Sequence, residues 1–144
     1  MPYLDRFGVS MDAELLAAFD RYLAARGYRN RSEALRDLVR QQLGEARLRE
    51  PGQPAAGVLT LLCAPAEADA GERVRGLLAA EATVVGAALH FPVSSDTELQ
   101  VIVLRGAVEA VESLADRVRA TRGVRYAHLG LVPLETGVHE AAGG

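Results

Sequence analysis

The sequence predicts an α+β protein in two parts: a short strand with two helices, then a βαββαβ domain. Three observations carry this reading. The alternating pentad Arg6-Phe7-Gly8-Val9-Ser10 precedes two stretches whose apolar residues recur at helical spacing. The polar segment GEARLREPGQPAAG follows, with two prolines and three glycines, and reads as a linker. Beyond it, apolar runs of strand length and helical patterns follow the order βαββαβ, the split-βαβ or ferredoxin-like arrangement.

The 144 residues suffice for one ordinary domain or two small ones. No apolar run approaches the ~20 residues that span a bilayer, and no charged-then-apolar leader opens the chain. The single cysteine, Cys63, excludes an internal disulfide framework. A cytoplasmic location with no membrane partner is expected. A net charge of −3 argues against blanket affinity for nucleic acid, yet the charge is uneven. Residues 1–50 hold nine Arg against eight acidic residues, and residues 51–144 hold seven against eleven.

Taken in order, Asp12 suits an N-cap, and Leu15, Phe19 and Leu23 fall on one stripe of the helix it opens. Gly27 suits the left-handed closing position. Asn30-Arg31-Ser32-Glu33 matches the cap-x-x-Glu start signal. The second helix then aligns Leu35, Leu38, Val39 and Leu43. These features place a first domain at 1–46, a linker at 47–56, a second domain at 57–136 and a disordered tail at 137–144. Within the second domain, GVLTLLCA is a strand and EADAGERVRGLLAAE a helix. VVGAALHFPV and ELQVIVLRG are strands joined by SSDT, VEAVESLADRVRATR is a helix, and VRYAHLGLVPL is the last strand. Alternation in the 84–93 strand predicts that Val85, Ala87, Leu89, Phe91 and Val93 meet the helices. Val84, Gly86, Ala88 and His90 then form a small, largely apolar opposite face, which a second copy of the chain is expected to cover.

A strand and two helices cannot close a core alone, whereas two copies can. Their strands pair antiparallel as a ribbon over four helices. Phe7, Val9 and Met11 face the shared core, while Arg6, Gly8 and Ser10 project outward. A two-stranded ribbon fits the DNA major groove. There Arg6 suits a bidentate contact to guanine, Ser10 a base edge, and Gly8 close approach. The second helix aims free N–H groups at a phosphate, beside Arg31 and Ser32. The expected partners are DNA and a second copy.

The stretch RFGVSMDAELLAAFDRYLAARGYRNRSEALRDLVR resembles the ribbon-helix-helix domain of the nickel-responsive transcriptional regulators. The resemblance continues through VIVLRG and ATRGVRYAHLGLVP and covers roughly residues 4–134, with GYxNRSEAxRD its most specific part. It implies a homotetramer, a dimer of dimers, in which four ACT-like βαββαβ domains form a core flanked by two DNA-binding dimers. It also implies a repressor of nickel uptake. In that family, nickel is held by two His of an L-H-x-H strand, a Cys six residues later, and a His of a neighbouring chain. Here Leu89-His90-Phe91-Pro92 keeps the first His, while Pro92, Glu98 and Ala79 occupy the other positions. A different site remains open: Cys63, His90 and Glu98 converging on zinc or cobalt. The plainer reading is a buried Cys63, an interfacial His90 and a solvated Glu98. His128 and His139 match no ligand motif.

Glu33 and Asp37, four apart on the second helix, share a face. The resemblance implies that this pair helps hold a hard, potassium-like cation, which suits oxygen donors. The family's basic DNA-backbone contacts from the core do not carry over, because Glu67 and Ala68 stand there. Two alternatives remain: an antitoxin-like interaction protein, and a regulator answering to another metal or a small metabolite. No nucleophile–base or paired-carboxylate constellation appears, so no enzyme is expected.

Overall fold

The computed structural model describes residues 3–135. The expected tail at 137–144, with His139, lies outside them. The chain divides into two compact units, Met1–Leu43 and Gly44–Gly144.

In the first unit, residues 3–12 carry no regular secondary structure, so the pentad at 6–10 is not a strand in the single chain. A strand exists through the ladder it shares with a neighbour, and one chain supplies none here. Helix α1 spans Ala13–Ala25. It opens as expected, with the Leu15 N–H donating to Asp12 Oδ1 at 2.8 Å. It closes in a Schellman turn: Gly27 sits at φ +76°, and the Tyr28 N–H reaches the Leu23 carbonyl at 3.0 Å. Helix α2 spans Arg31–Arg47, and Asn30 Oδ1 caps it by accepting the Glu33 N–H at 2.9 Å. Ala34 is the one buried residue of the two helices.

Two boundaries differ from expectation. Helix α2 runs through Gly44 to Arg47, into the anticipated linker, because a single helical glycine costs only about 1 kcal/mol. Strand β1 spans Pro54–Cys63 and so starts before Gly57. Proline is tolerated as a strand's first residue, where its missing N–H interrupts no ladder. Here the Pro54 carbonyl accepts the Leu134 N–H at 2.9 Å. Gln53 anchors the turn before it, donating to the carbonyls of Pro54 and Leu134 at 2.9 and 2.8 Å.

The second unit continues with α3 (Ala70–Ala80), β2 (Val85–Pro92), β3 (Glu98–Ala107), α4 (Val108–Arg119) and β4 (Val124–Pro133). A 3-10 turn, Glu67–Asp69, replaces the expected first turn of α3, with Ala68 and Asp69 at positive φ. The sheet order is β2-β3-β1-β4, wholly antiparallel. Helix α4 buries Val108, Val111, Leu114, Ala115 and Val118, a stripe at helical spacing. It packs with α3 on Leu59, Leu61, Ile102 and Leu104 of the inner strands. Gly123, at φ +97°, admits the chain where a Cβ would lie 2.5 Å from that of Ala70.

Val85 packs against the core as expected, but beyond it the expected facing of β2 is overturned. A bulge between Val85 and Ala87 shifts the register, so that Ala88 pairs with Ile102 and His90 with Gln100, on the helix side. Ala87, Leu89 and Phe91 therefore point to the helix-free face, opposite Val103, Val101 and Leu99. Together with Val58, Tyr126 and Val132 they make that face apolar, and Leu89 and Phe91 stay 64% and 59% exposed in the single chain.

Candidate functional site

In the first unit Arg6, Gly8 and Ser10 are exposed, as is every residue from 3 to 10. Phe7 and Val9 are exposed too, at 76% and 54%, with Leu15, Val39 and Leu43 on the helices. Phe7 and Val9 are two of the three residues assigned to the shared core, and Leu15, Val39 and Leu43 lie on the apolar stripes of the helices. Arg31 is exposed and already paired through one edge of its guanidinium. Its Nε and Nη2 donate to Asp20 Oδ1 and Oδ2, both at 2.9 Å, a bidentate pair that ties α1 to α2. The guanidinium holds the Asp20 carboxyl below its ordinary range. Ser32 is exposed in the first turn of α2. Asp37 accepts from Tyr28 Oη at 2.8 Å and from Arg40 Nη1 at 3.2 Å. The nearby carboxylate raises the Tyr28 phenol above its ordinary value. Glu33 is half-buried on the same helix.

In the second unit His90 and Glu98 meet, with Nδ1 3.1 Å from Oε1. Gln100 Nε2 donates to the same oxygen at 2.7 Å. The His90 contact chiefly holds the Glu98 carboxyl below its ordinary range. Cys63 lies opposite Glu98 in the β1–β3 register and is fully buried. Burial first, then the charges of Glu98 and Glu67, pushes its thiol above the ordinary value. A thiol so placed is a poor source of thiolate, the form that binds metal. Among the described residues no group of three or more His, Cys, Asp or Glu side chains is gathered to hold a metal ion. Of the alternative site of Cys63, His90 and Glu98, the side chains in contact are His90 and Glu98. His128 lies exposed on the helix-free face, opposite Thr60.

Residues 56–132 match the family model of the NikR C-terminal nickel-binding domain, and residues 5–46 match that of the ribbon-helix-helix proteins of the copG family. The chain belongs to the nickel-responsive regulator family. Relatives described as "Putative nickel-responsive regulator" span nearly its whole length. That of Solidesulfovibrio magneticus is 36% identical over 126 residues, covering 88% of this chain and 91% of its own. That of Geobacter sp. (strain M21) is 34% identical over 134 residues, covering 93% and 96%. That of Solibacter usitatus is 35% identical over 129 residues, covering 90% and 93%. With its ribbon-helix-helix module, this family member is a DNA-binding transcriptional regulator that oligomerises. No helix among the described residues is long and apolar enough to cross a membrane.

The residues at the family's nickel positions do not fit nickel in this chain. The Pro92 ring offers no donor, and Glu98, at the thiolate position, is engaged by His90 and Gln100. Ala79, at the cross-chain position, carries only a methyl group. Two polar residues escaped the sequence reading. Arg31's partner Asp20 lies eleven residues away and leaves no local pattern. Gln100 had a signal: it is a lone amide at an inward position of the otherwise apolar run LQVIVL.

Proposed function

We propose that this regulator binds its operator as a homotetramer, with paired ribbons flanking a core of four βαββαβ domains. The exposed apolar set of the first unit carries the reading. Phe7, Val9, Leu15, Val39 and Leu43 lie open, and helices α1 and α2 bury only Ala34. Such a surface closes into a core only against a second copy. Antiparallel pairing of residues 6–10 satisfies their backbone and turns Phe7 and Val9 inward. Arg6 and Ser10 then face base edges, with Gly8 between them. The DNA-binding module takes in residues 1–46, and the chain reaches the core domain by 57.

Phosphate contact falls to the first amides of α2, to Ser32 and to Arg31, whose pairing with Asp20 holds the guanidinium at the start of that helix. Glu33 and Asp37 supply oxygens for a hard cation beside the DNA. The apolar helix-free face of the sheet supports the joining of dimers. The protein acts in the cytoplasm, as a repressor that occupies promoter DNA, and is not an enzyme. Nickel is not its effector, because His90 is all that persists of the ligand set.

Arg6→Ala tests the ribbon. Each bidentate Arg–guanine contact is worth about 1–3 kcal/mol, so affinity for the promoter of its own gene should fall about tenfold or more. Base preference at the contacted position should also relax. Unchanged affinity and specificity in a gel-shift titration would exclude the ribbon-in-groove mode.

A further inference from the structure

A cleft of about 340 Å³ lies between α3 and the edge strand β2. Helix α3 passes into β2 through residues 81–84, so the chain reverses and the two elements run back along each other. The late residues of α3 therefore lie beside the start of β2, and its early residues beside the end of β2. The cleft thus has two unlike stretches. Leu78, Ala82, Val85 and Ala88 line one, which is apolar. Arg75, His90 and Gln100 line the other. Arg75 carries the fixed charge of this lining, and no carboxylate lines the cleft. Its side chain is 69% exposed and donates from Nη1 to Glu72 Oε1 at 3.0 Å. An exposed pair of this kind contributes little. Among the described residues the rest of the guanidinium fork has no partner. The neighbouring polar groups are already engaged, since His90 Nδ1 and Gln100 Nε2 both meet Glu98 Oε1, at 3.1 and 2.7 Å. The Glu98 carboxyl, held below its ordinary range chiefly by His90, is also lowered by the Arg75 charge, which puts that guanidinium at the polar end.

An apolar trough with an uncommitted guanidinium edge at one end matches an amphipathic anion. We propose that the cleft binds a short aliphatic carboxylic acid, its carboxylate on the Arg75 fork and its tail against Leu78, Ala82, Val85 and Ala88. The planar fork of N–H donors suits the two oxygens of a carboxylate. The volume lies at the lower end of the range for small-molecule pockets and suits a compact acid. The site lies wholly within the second unit, so it stands apart from the DNA-binding reading.

Calorimetric titration of the full chain with 4-methylpentanoate tests the site. Saturable, stoichiometric binding is expected. Two controls divide the ligand: 4-methylpentanamide keeps the tail without the charge, and acetate keeps the charge without the tail. Each should bind at least tenfold more weakly, since one buried methylene alone is worth about fourfold. Arg75→Gln, a surface substitution, should weaken the acid about tenfold and leave the amide unchanged. A merely structural role for Arg75 would move both. Ala88→Leu, which fills the apolar stretch, should abolish binding of the acid. Should Ala88→Leu fail to fold, Arg75→Gln with acid and amide decides alone. No binding of the acid, equal binding of acid and amide, or acid affinity unmoved by either variant would overturn the site. So would a high-resolution structure of the assembled protein, grown with the acid, that holds only water or a partner's side chains in the cleft.

Discussion

Replacing Phe7 with Ala discriminates sharply between a ribbon shared by two copies and a frayed N-terminus. In the single chain Phe7 is 76% exposed, so its truncation costs an isolated protomer almost nothing. Within a paired ribbon the same ring is buried, and full burial of a Phe side chain is worth about 1.5–3 kcal/mol. A symmetric pair contains the ring twice, so the ribbon loses about 3–6 kcal/mol. At 1.4 kcal/mol per tenfold, pairing weakens by about 10²–10⁴. A core that keeps protomers together raises the effective concentration of the N-terminal units. The loss should therefore appear in DNA affinity rather than in mass. Fluorescence anisotropy with a labelled duplex of the gene's own promoter reads it, with thermal unfolding of the βαββαβ domain as the folding control. The expected result is at least a hundredfold loss of affinity with the core transition unmoved. Wild-type affinity in Phe7→Ala would refute the reasoning.

Two further perturbations address the second unit. Phe91→Asp places a charge on the apolar helix-free face, and sedimentation should show the tetramer falling to dimers while the core still folds; a persistent tetramer would remove that face from the assembly. The raised Cys63 thiol favours the protonated native state. Its stability contribution is thus full below the ordinary thiol value of about 8.5 and is lost as pH rises through the folded value. Urea midpoints should decline across that alkaline window, and Cys63→Ala should remove this part of the slope; an identical slope would refute the assignment.

Much of this architecture was legible because local signals agreed with the fold. Asp12 and Asn30 cap their helices as the cap patterns predicted, and Gly27 closes α1. The order βαββαβ placed Cys63 on the strand beside Glu98. An apolar uncovered sheet face was foreseen, but with the wrong residues. Strand alternation has period two, so one extra residue at the Gly86 bulge exchanged the faces. That slip put Phe91 on the helix-free side and His90 on the helix side. Pro54 misled in another way, because a proline that reads as a linker also opens β1 legally. The pentad at 6–10 lies at the limit of single-chain information, since the hydrogen-bond partners proposed for it belong to another molecule. The alternative metal site joined Cys63 to His90 and Glu98 by topology, which fixes neighbouring strands but not the convergence of side chains. Gln100 was passed over because one amide in an apolar strand carries no motif; only burial shows that its oxygen lacks a partner among the described residues.

Amide hydrogen exchange across residues 4–11 of the full-length protein, without DNA, tests the paired ribbon most directly. An inter-chain ladder should slow alternate amides within 6–10 far below free-chain rates, and Phe7→Ala should release them. Free-chain exchange throughout that stretch in the assembled protein would contradict the shared ribbon on which the DNA-binding mode depends.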